Sequence, residues 1–260
     1  MAGFRKGDHG DPQSVRYEAA GLRWLGAAGG AAVVEVVDEG PGWLETRRVA
    51  QARPDARAAE ELGRALARTH AAGAPYHGCP PPDWHGDGFM GRAALPLRGS
   101  APASWGEFYA TDRILPYLAA AVGNGAIDDD GARTVRRCAE RVAAGDHDAA
   151  QPAMVGDVAR LHGDLWSGNV LWAEDDGTAV GTLIDPAAHG GHAESDLAQL
   201  GVFGAPYLDR IVAAYDEVSS LADGWRERVG LHQLHILIVH AALFGGTYGD
   251  QTVATAARYT

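Results

Sequence analysis

The chain has 260 residues, 46% of them hydrophobic and 22% charged, which excludes a disordered polymer and allows one large domain or two unequal lobes. A formal net charge of −12 excludes recognition of nucleic-acid backbones through a basic surface, but not a nucleotide held by a few local cations. Cys79 and Cys138 are the only cysteines and form no CxxC pair, which excludes a disulfide framework. The opening residues are polar and no run of roughly 18 apolar residues occurs. The expected protein is therefore soluble and cytoplasmic, with no membrane partner; its oligomeric state is left open.

Phe4-Arg5-Lys6 reads as the end of a short strand. Apolar and small positions over 15–25 fit a helix that carries Glu18, and two β-rich runs follow at 33–37 and 43–49, separated by Gly40, Pro41 and Gly42. Pro54 and Asp55 open a long helix with Ala58, Leu62, Ala65, Leu66 and Thr69 on one face, ending near His70. Residues 73–104 are rich in Gly and Pro and are expected to be loop. Helices are expected over 105–122, with Trp105, Phe108 and Tyr109 on its core side, and over 130–144 behind a solvated turn at Asp128 and Asp129. The β-rich runs 169–172 and 180–184, with Asp175, Asp176 and Gly177 between them, predict a hairpin. Helices are then expected over 194–202, 207–219 and 225–244, the last apolar almost all round and hence central to the core. No internal repeat is visible.

The run Leu161-His162-Gly163-Asp164-Leu165-Trp166-Ser167-Gly168-Asn169-Val170-Leu171-Trp172, followed by Thr182-Leu183-Ile184-Asp185-Pro186, carries the chemistry. Phosphoryl transfer needs one carboxylate to orient and deprotonate an attacking hydroxyl, and metal ligands nearby to neutralise the triphosphate. Asp164, then Asn169 five positions on, then Asp185 after the hairpin supply those groups. Asn and Asp oxygens suit Mg²⁺, a hard cation that uses few protein ligands.

This run resembles the catalytic and metal-binding loops of kinase-fold phosphotransferases, with His-Gly-Asp where protein kinases have His-Arg-Asp. The longer string through Trp166 and Ser167, with Pro186, His189, Gly190, Gly191, His192, Glu194, Asp196 and Leu197, is similar to fructosamine kinases (ketosamine-3-kinases), as is Leu243-Phe244-Gly245-Gly246-Thr247-Tyr248. The resemblance implies an α+β, protein-kinase-like two-lobe fold, with a small, shortened α/β amino-terminal lobe over 1–52 and a larger, mainly helical lobe over 53–260. It implies ATP and Mg²⁺ as cofactors and a small-molecule or protein-linked ketosamine as acceptor, phosphorylated at O-3 and so led to deglycation. Asp164 would then be the base, Asn169 and Asp185 the Mg²⁺ ligands, and His162 and Asp196 braces of the loop. Lys6, fixed by Glu18, would hold phosphates, with Arg47, Arg48 and Val49 beside the adenine and Trp166, Asp87 and His189 at the substrate.

Only five residues precede Lys6, so no Gly-rich phosphate-covering loop fits ahead of it, and no GxGxxG occurs elsewhere. A different kinase of the same fold, acting on an aminoglycoside or choline, and a catalytically silent nucleotide-binding relative are the competing readings. His189, His192, His232, His235 and His240 are expected to be hydrogen-bonded structural groups rather than metal ligands. Glu194 and Asp196, at a helix start, are expected to cap and brace.

Overall fold

In the computed structural model, which describes residues 3–8 and 10–260, strand β1 (Gly3–Gly7) leads into helix α1 (Pro12–Gly26). The helix starts where Asp11 accepts a hydrogen bond from the Gln13 amide and Pro12 supplies a preset φ. Strands β2 (Ala32–Val33), β3 (Val36–Gly40) and β4 (Trp43–Arg47) follow. β1, β4 and β3 form an antiparallel sheet in that order, with Lys6 opposite Leu44. Val15, Ala19 and Leu22 of α1 pack on Val34 and Leu44 and fasten the helix across the sheet.

Helix α2 (Ala56–Ala71) is capped by Asp55, which accepts from the Ala58 amide. Within the stretch expected to be loop, β5 (Gly88–Met90) and β6 (Ala93–Leu95) form a hairpin; strands of three residues are too short to show an alternating pattern. The helix expected over 105–122 is three pieces: α3 (Trp105–Phe108), a π-helical turn (Tyr109–Ile114) and α4 (Leu115–Gly123). Pro116 has no amide hydrogen for the ordinary bond back to residue 112, and the wider turn absorbs that gap. Helix α5 (Asp129–Ala143) begins at Asp128, whose carboxylate accepts from the Gly131 amide.

The chain then forms β7 (Ala159–Leu161), a 3₁₀ turn (Ser167–Asn169), β8 (Val170–Asp175), β9 (Thr178–Leu183) and β10 (His189–Gly191). Asp176 and Gly177 join β8 to β9 with φ of 46° and 80°, the doubly left-handed two-residue turn that suits a hairpin's twist. β10 pairs with β7, setting His189 opposite Leu161. The single strand expected over 33–37 is two because β2 leaves the amino-terminal sheet and runs parallel to β9. That pairing and a bridge between Gln51 and Ala173 both cross the division expected at residue 52.

Helices α6 (Glu194–Val202), α7 (Leu208–Val218), α8 (Trp225–Phe244) and α9 (Thr247–Ala256) complete the fold, ending in a 3₁₀ turn (Ala257–Tyr259). α9 lay outside the sequence reading; its opening Thr, Tyr and Gly are weak helix formers. The main core joins Tyr17 of α1 to Leu95, Trp105, Phe108, Ile114, Val135 and Leu231. A second cluster packs Leu62 and Leu66 of α2 and Leu197 and Leu200 of α6 on Leu165, Val170 and Leu183, and so pins the motif-bearing loops from beneath. Truncating fully buried Leu165 to Ala would cost about 2–5 kcal/mol.

Candidate active site

The segment after β7 is held through its backbone. Asp196, in the first turn of α6, accepts from the His162 amide at 2.7 Å and the Gly163 amide at 2.9 Å, and His70 Nε2 donates to the same carboxylate at 3.2 Å. Burial alone would raise the Asp196 carboxyl, but His70 and these peptide donors hold it below its ordinary value. His70 Nδ1 lies 3.0 Å from the Tyr215 hydroxyl, from which it accepts once Nε2 carries the proton. Gln199 accepts from the Leu165 amide at 2.8 Å. His162 Nε2 donates to Ile184 O at 2.8 Å, and the Ile184 amide donates to Asn169 O at 3.1 Å, so the loop and the residue preceding Asp185 are one unit. Gly163 has φ of 83°, and a Cβ there would fall 2.1 Å from Ala187 O, so glycine is required.

On this frame Asp164 Oδ2 accepts from Asn169 Nδ2 at 3.1 Å, while Nδ2 also reaches Asp164 O at 2.8 Å. Among the described residues, Asp164 Oδ1 is shielded from solvent and has no hydrogen-bond partner. Across the cleft, Lys6 Nζ lies 2.6 Å from Glu18 Oε2 and 2.7 Å from Asp185 Oδ1. Asp185 is exposed and adopts φ of 53°, a left-handed conformation that costs a non-glycine residue about 1–3 kcal/mol. Lys6, Glu18, Asp164, Asn169 and Asp185 line one open cleft of about 230 Å³, with Trp166 on its wall. An adjoining hollow of about 340 Å³ is lined by Phe4, Lys6, Val34, Thr46, Leu171 and Ile184, with Arg47, Arg48 and Val49 at its edge. Arg47 also pairs with Glu35.

Electrostatics follow the geometry. Burial pushes the Asp164 carboxyl up to about 7, against the pull of Asn169 and with help from Asp185 and Asp196. Burial likewise pushes Glu18 up to about 7, opposed by Lys6. For Lys6 burial lowers the value, but Glu18 and Asp185 outweigh it and hold the ammonium above its ordinary range.

Two of the residues expected at the substrate lie elsewhere. Asp87 is exposed at the base of the β5–β6 hairpin, where its carboxylate accepts from the Leu97 amide at 3.2 Å. Phe89, Met90 and Gly91 of that hairpin reach the cleft instead. His189 is 3% exposed, with Nδ1 donating to Ala187 O at 2.8 Å and Arg113 Nε 3.4 Å from Nε2, so it packs behind the loop. Tyr17, beside Glu18 on α1, also lines the cleft and donates its hydroxyl to Ala188 O at 2.8 Å, and sequence reasoning missed the roles of His70 and Gln199. Each sits in an unremarkable helical pattern, so no local signal marked it.

The donors near the cleft fit a hard cation. Asn169 commits its NH₂ to Asp164, which leaves Oδ1 as its ligating end; Asp185 has a second carboxylate oxygen, and Asp164 Oδ1 lacks a donor. A second cluster behaves differently. One donor atom each from buried His192, Glu194 and His232 lie within 4.8 Å of one another. There Arg228 reaches the Glu194 carboxylate at 2.6 and 2.9 Å, so a guanidinium already supplies the positive charge. Burial would raise Glu194, but His232 and Arg228 pull it down to about 2.

Kinase-like folds grip a nucleotide between a small sheet and a helical body, and this chain has that fold. An aminoglycoside-3'-phosphotransferase of type VIII superposes with a TM-score of 0.54 at 18% identity, covering 89% of this chain and 81% of that one. Within the class, the chain belongs to the fructosamine kinase family, whose model matches residues 13–259. It is similar to a protein from Thermobifida fusca described as a candidate fructosamine-3-kinase, at 44% identity and a TM-score of 0.82 over 94% of this chain and 79% of that one. It is 30% identical over 191 residues to a ketoamine kinase candidate of Enterococcus faecium, covering 74% of this chain and 63% of that protein's length.

Proposed function

We propose that this chain transfers the γ-phosphoryl group of ATP to the 3-hydroxyl of a ketosamine, free or protein-linked, in the cytoplasm. The reading rests on one observation above all: Lys6, Glu18, Asp164, Asn169 and Asp185, drawn from two stretches far apart in the sequence, meet in a single open cleft beside a second hollow. The names of the similar proteins support a ketosamine rather than an aminoglycoside as acceptor. Among the described residues no helix is long and apolar enough to cross a membrane.

In this proposal the adenine lies in the larger hollow, its edge against the backbone of Arg47–Val49, and Lys6, held by Glu18, faces the phosphates. Asn169 Oδ1 and Asp185 would hold Mg²⁺, which when bound neutralises charge on the triphosphate. Asp164, on the cleft wall, orients the acceptor hydroxyl and takes its proton. His162 and Asp196 fix the loop that carries this base. A ketosamine 3-phosphate is chemically unstable, so the product would fall apart and free the amine.

The test offers ATP with ribulosyl-lysine or with kanamycin and follows ADP release, with phosphorus NMR on the product. Turnover on ribulosyl-lysine with a new 3-phosphate is expected. Phosphorylation of kanamycin alone, or ATP binding without turnover on any ketosamine, would overturn the proposal.

A further inference from the structure

Trp166, on the wall of the cleft, is the first of a chain of touching rings to which no role has been given. Phe203, at the carboxyl end of α6, meets Trp166 edge-on with centroids 5.7 Å apart. His240 lies 5.2 Å from Phe203 and 5.0 Å from Tyr248, and Phe244 lies 5.4 Å from His240. Phe203 and Phe244 are 40% and 60% exposed, so the chain of rings runs from the cleft to open solvent. Single exposed aromatics are ordinary; a contiguous row that begins at a substrate wall is not.

The segments that carry the row hold no cation of their own, the nearest in sequence being Arg210, and Lys6 lies in the cleft on which Trp166 sits. Residues 199–209 and 240–251, which carry these rings apart from Trp166, contain no Lys or Arg but include Asp209 and Asp250, and 162–172 contain no Lys or Arg and include Asp164. His240 Nδ1 donates to Ile236 O at 2.8 Å, which leaves Nε2 as a lone-pair acceptor. Burial keeps this imidazole below its ordinary value, so it adds no repelling charge at neutral pH. Electron-rich ring faces without a competing cation attract ammonium groups.

We infer that Phe203, His240 and Tyr248 extend the acceptor site beyond Trp166 and receive the protonated secondary amine of the ketosamine, together with the first carbons of the substituent it carries. This rests on the proposed function, in which the reacting hydroxyl sits at Asp164 and the amine, a few bonds away, must leave the cleft past Trp166. Selectivity for an amine-bearing sugar over a free ketose then comes from the rings rather than from the phosphoryl-transfer groups.

The test compares blocked ribulosyl-lysine with its counterpart acylated on the secondary nitrogen, which keeps the skeleton and loses the charge. Wild type, Phe203→Leu and Phe203→Ala are assayed at saturating ATP, with thermal melts to confirm folding. For the charged compound, both variants are expected to raise KM about tenfold with kcat within about twofold. For the acylated compound, wild type is expected to show the raised KM already and the variants to add little. Unchanged KM for the charged compound, or an equal rise for both compounds, would overturn the inference while leaving the functional proposal intact. If wild type releases no ADP with either compound, the functional proposal itself fails, and the inference with it.

Discussion

Asp164→Asn keeps the side-chain shape, keeps one oxygen for Asn169, and removes a charge whose other, buried oxygen no donor among the described residues reaches. The folded carboxyl holds its proton to about 7 where the ordinary value is 3.8. The unfolded chain therefore ionises first, and wild-type stability drains away as pH rises from about 4 to about 7, with the penalty complete above that window. Full burial would make it about 4 kcal/mol; Asp164 is only half-buried, so about 2 kcal/mol is the working figure. Urea unfolding at pH 8 should show the Asn variant more stable than wild type by about that amount, and the two curves should converge near pH 4. ATP turnover of the same variant should fall by roughly 10²–10⁴. A variant less stable than wild type at pH 8, or one that keeps most of its turnover, would refute the reasoning.

Other perturbations separate frame from chemistry. Asp196→Asn turns one acceptor oxygen into a donor against buried peptide amides or His70, so urea unfolding should show a loss of about 3 kcal/mol; a loss below about 0.5 kcal/mol would show that the loop holds itself. Gly163→Ala, which sets a Cβ on Ala187 O, should destabilise the protein and lower kcat, whereas a silent alanine would mean the loop can shift freely. Lys6→Met should raise the ATP KM and lower kcat while the acceptor KM changes little; an unchanged ATP KM would remove Lys6 from the phosphate site.

The parts of the site legible in the sequence are those whose chemistry is packed into a short run. Asp164 and Asn169 share one loop, and Asp185 follows a hairpin whose turn is marked by Asp176 and Gly177. Lys6 and Glu18 were legible as a strand-and-helix pair, although the contact of Lys6 with Asp185 spans 179 positions. His70 escaped notice because its role comes from α2 packing beside α6, and nothing in Arg68-Thr69-His70-Ala71 announces Asp196. Asp87 and His189 misled for a related reason. A residue can be expected at the substrate while the side chains lining the cleft are neighbours two or three positions on, as with Asp87 beside Phe89 and Met90. The β5–β6 hairpin and the π-helical turn were illegible because three-residue strands and a single widened turn carry too little periodicity.

The two backbone ties across residue 52 have a mechanical consequence. β2 is sewn to β9, and Gln51 to Ala173, so the joint between the sheet-bearing and helical parts is riveted at two points rather than hung on a bare connector. Ties of that kind oppose swinging more than a single connector would, so part of the spacing between Lys6 and Asp164 is carried by the backbone pairing itself.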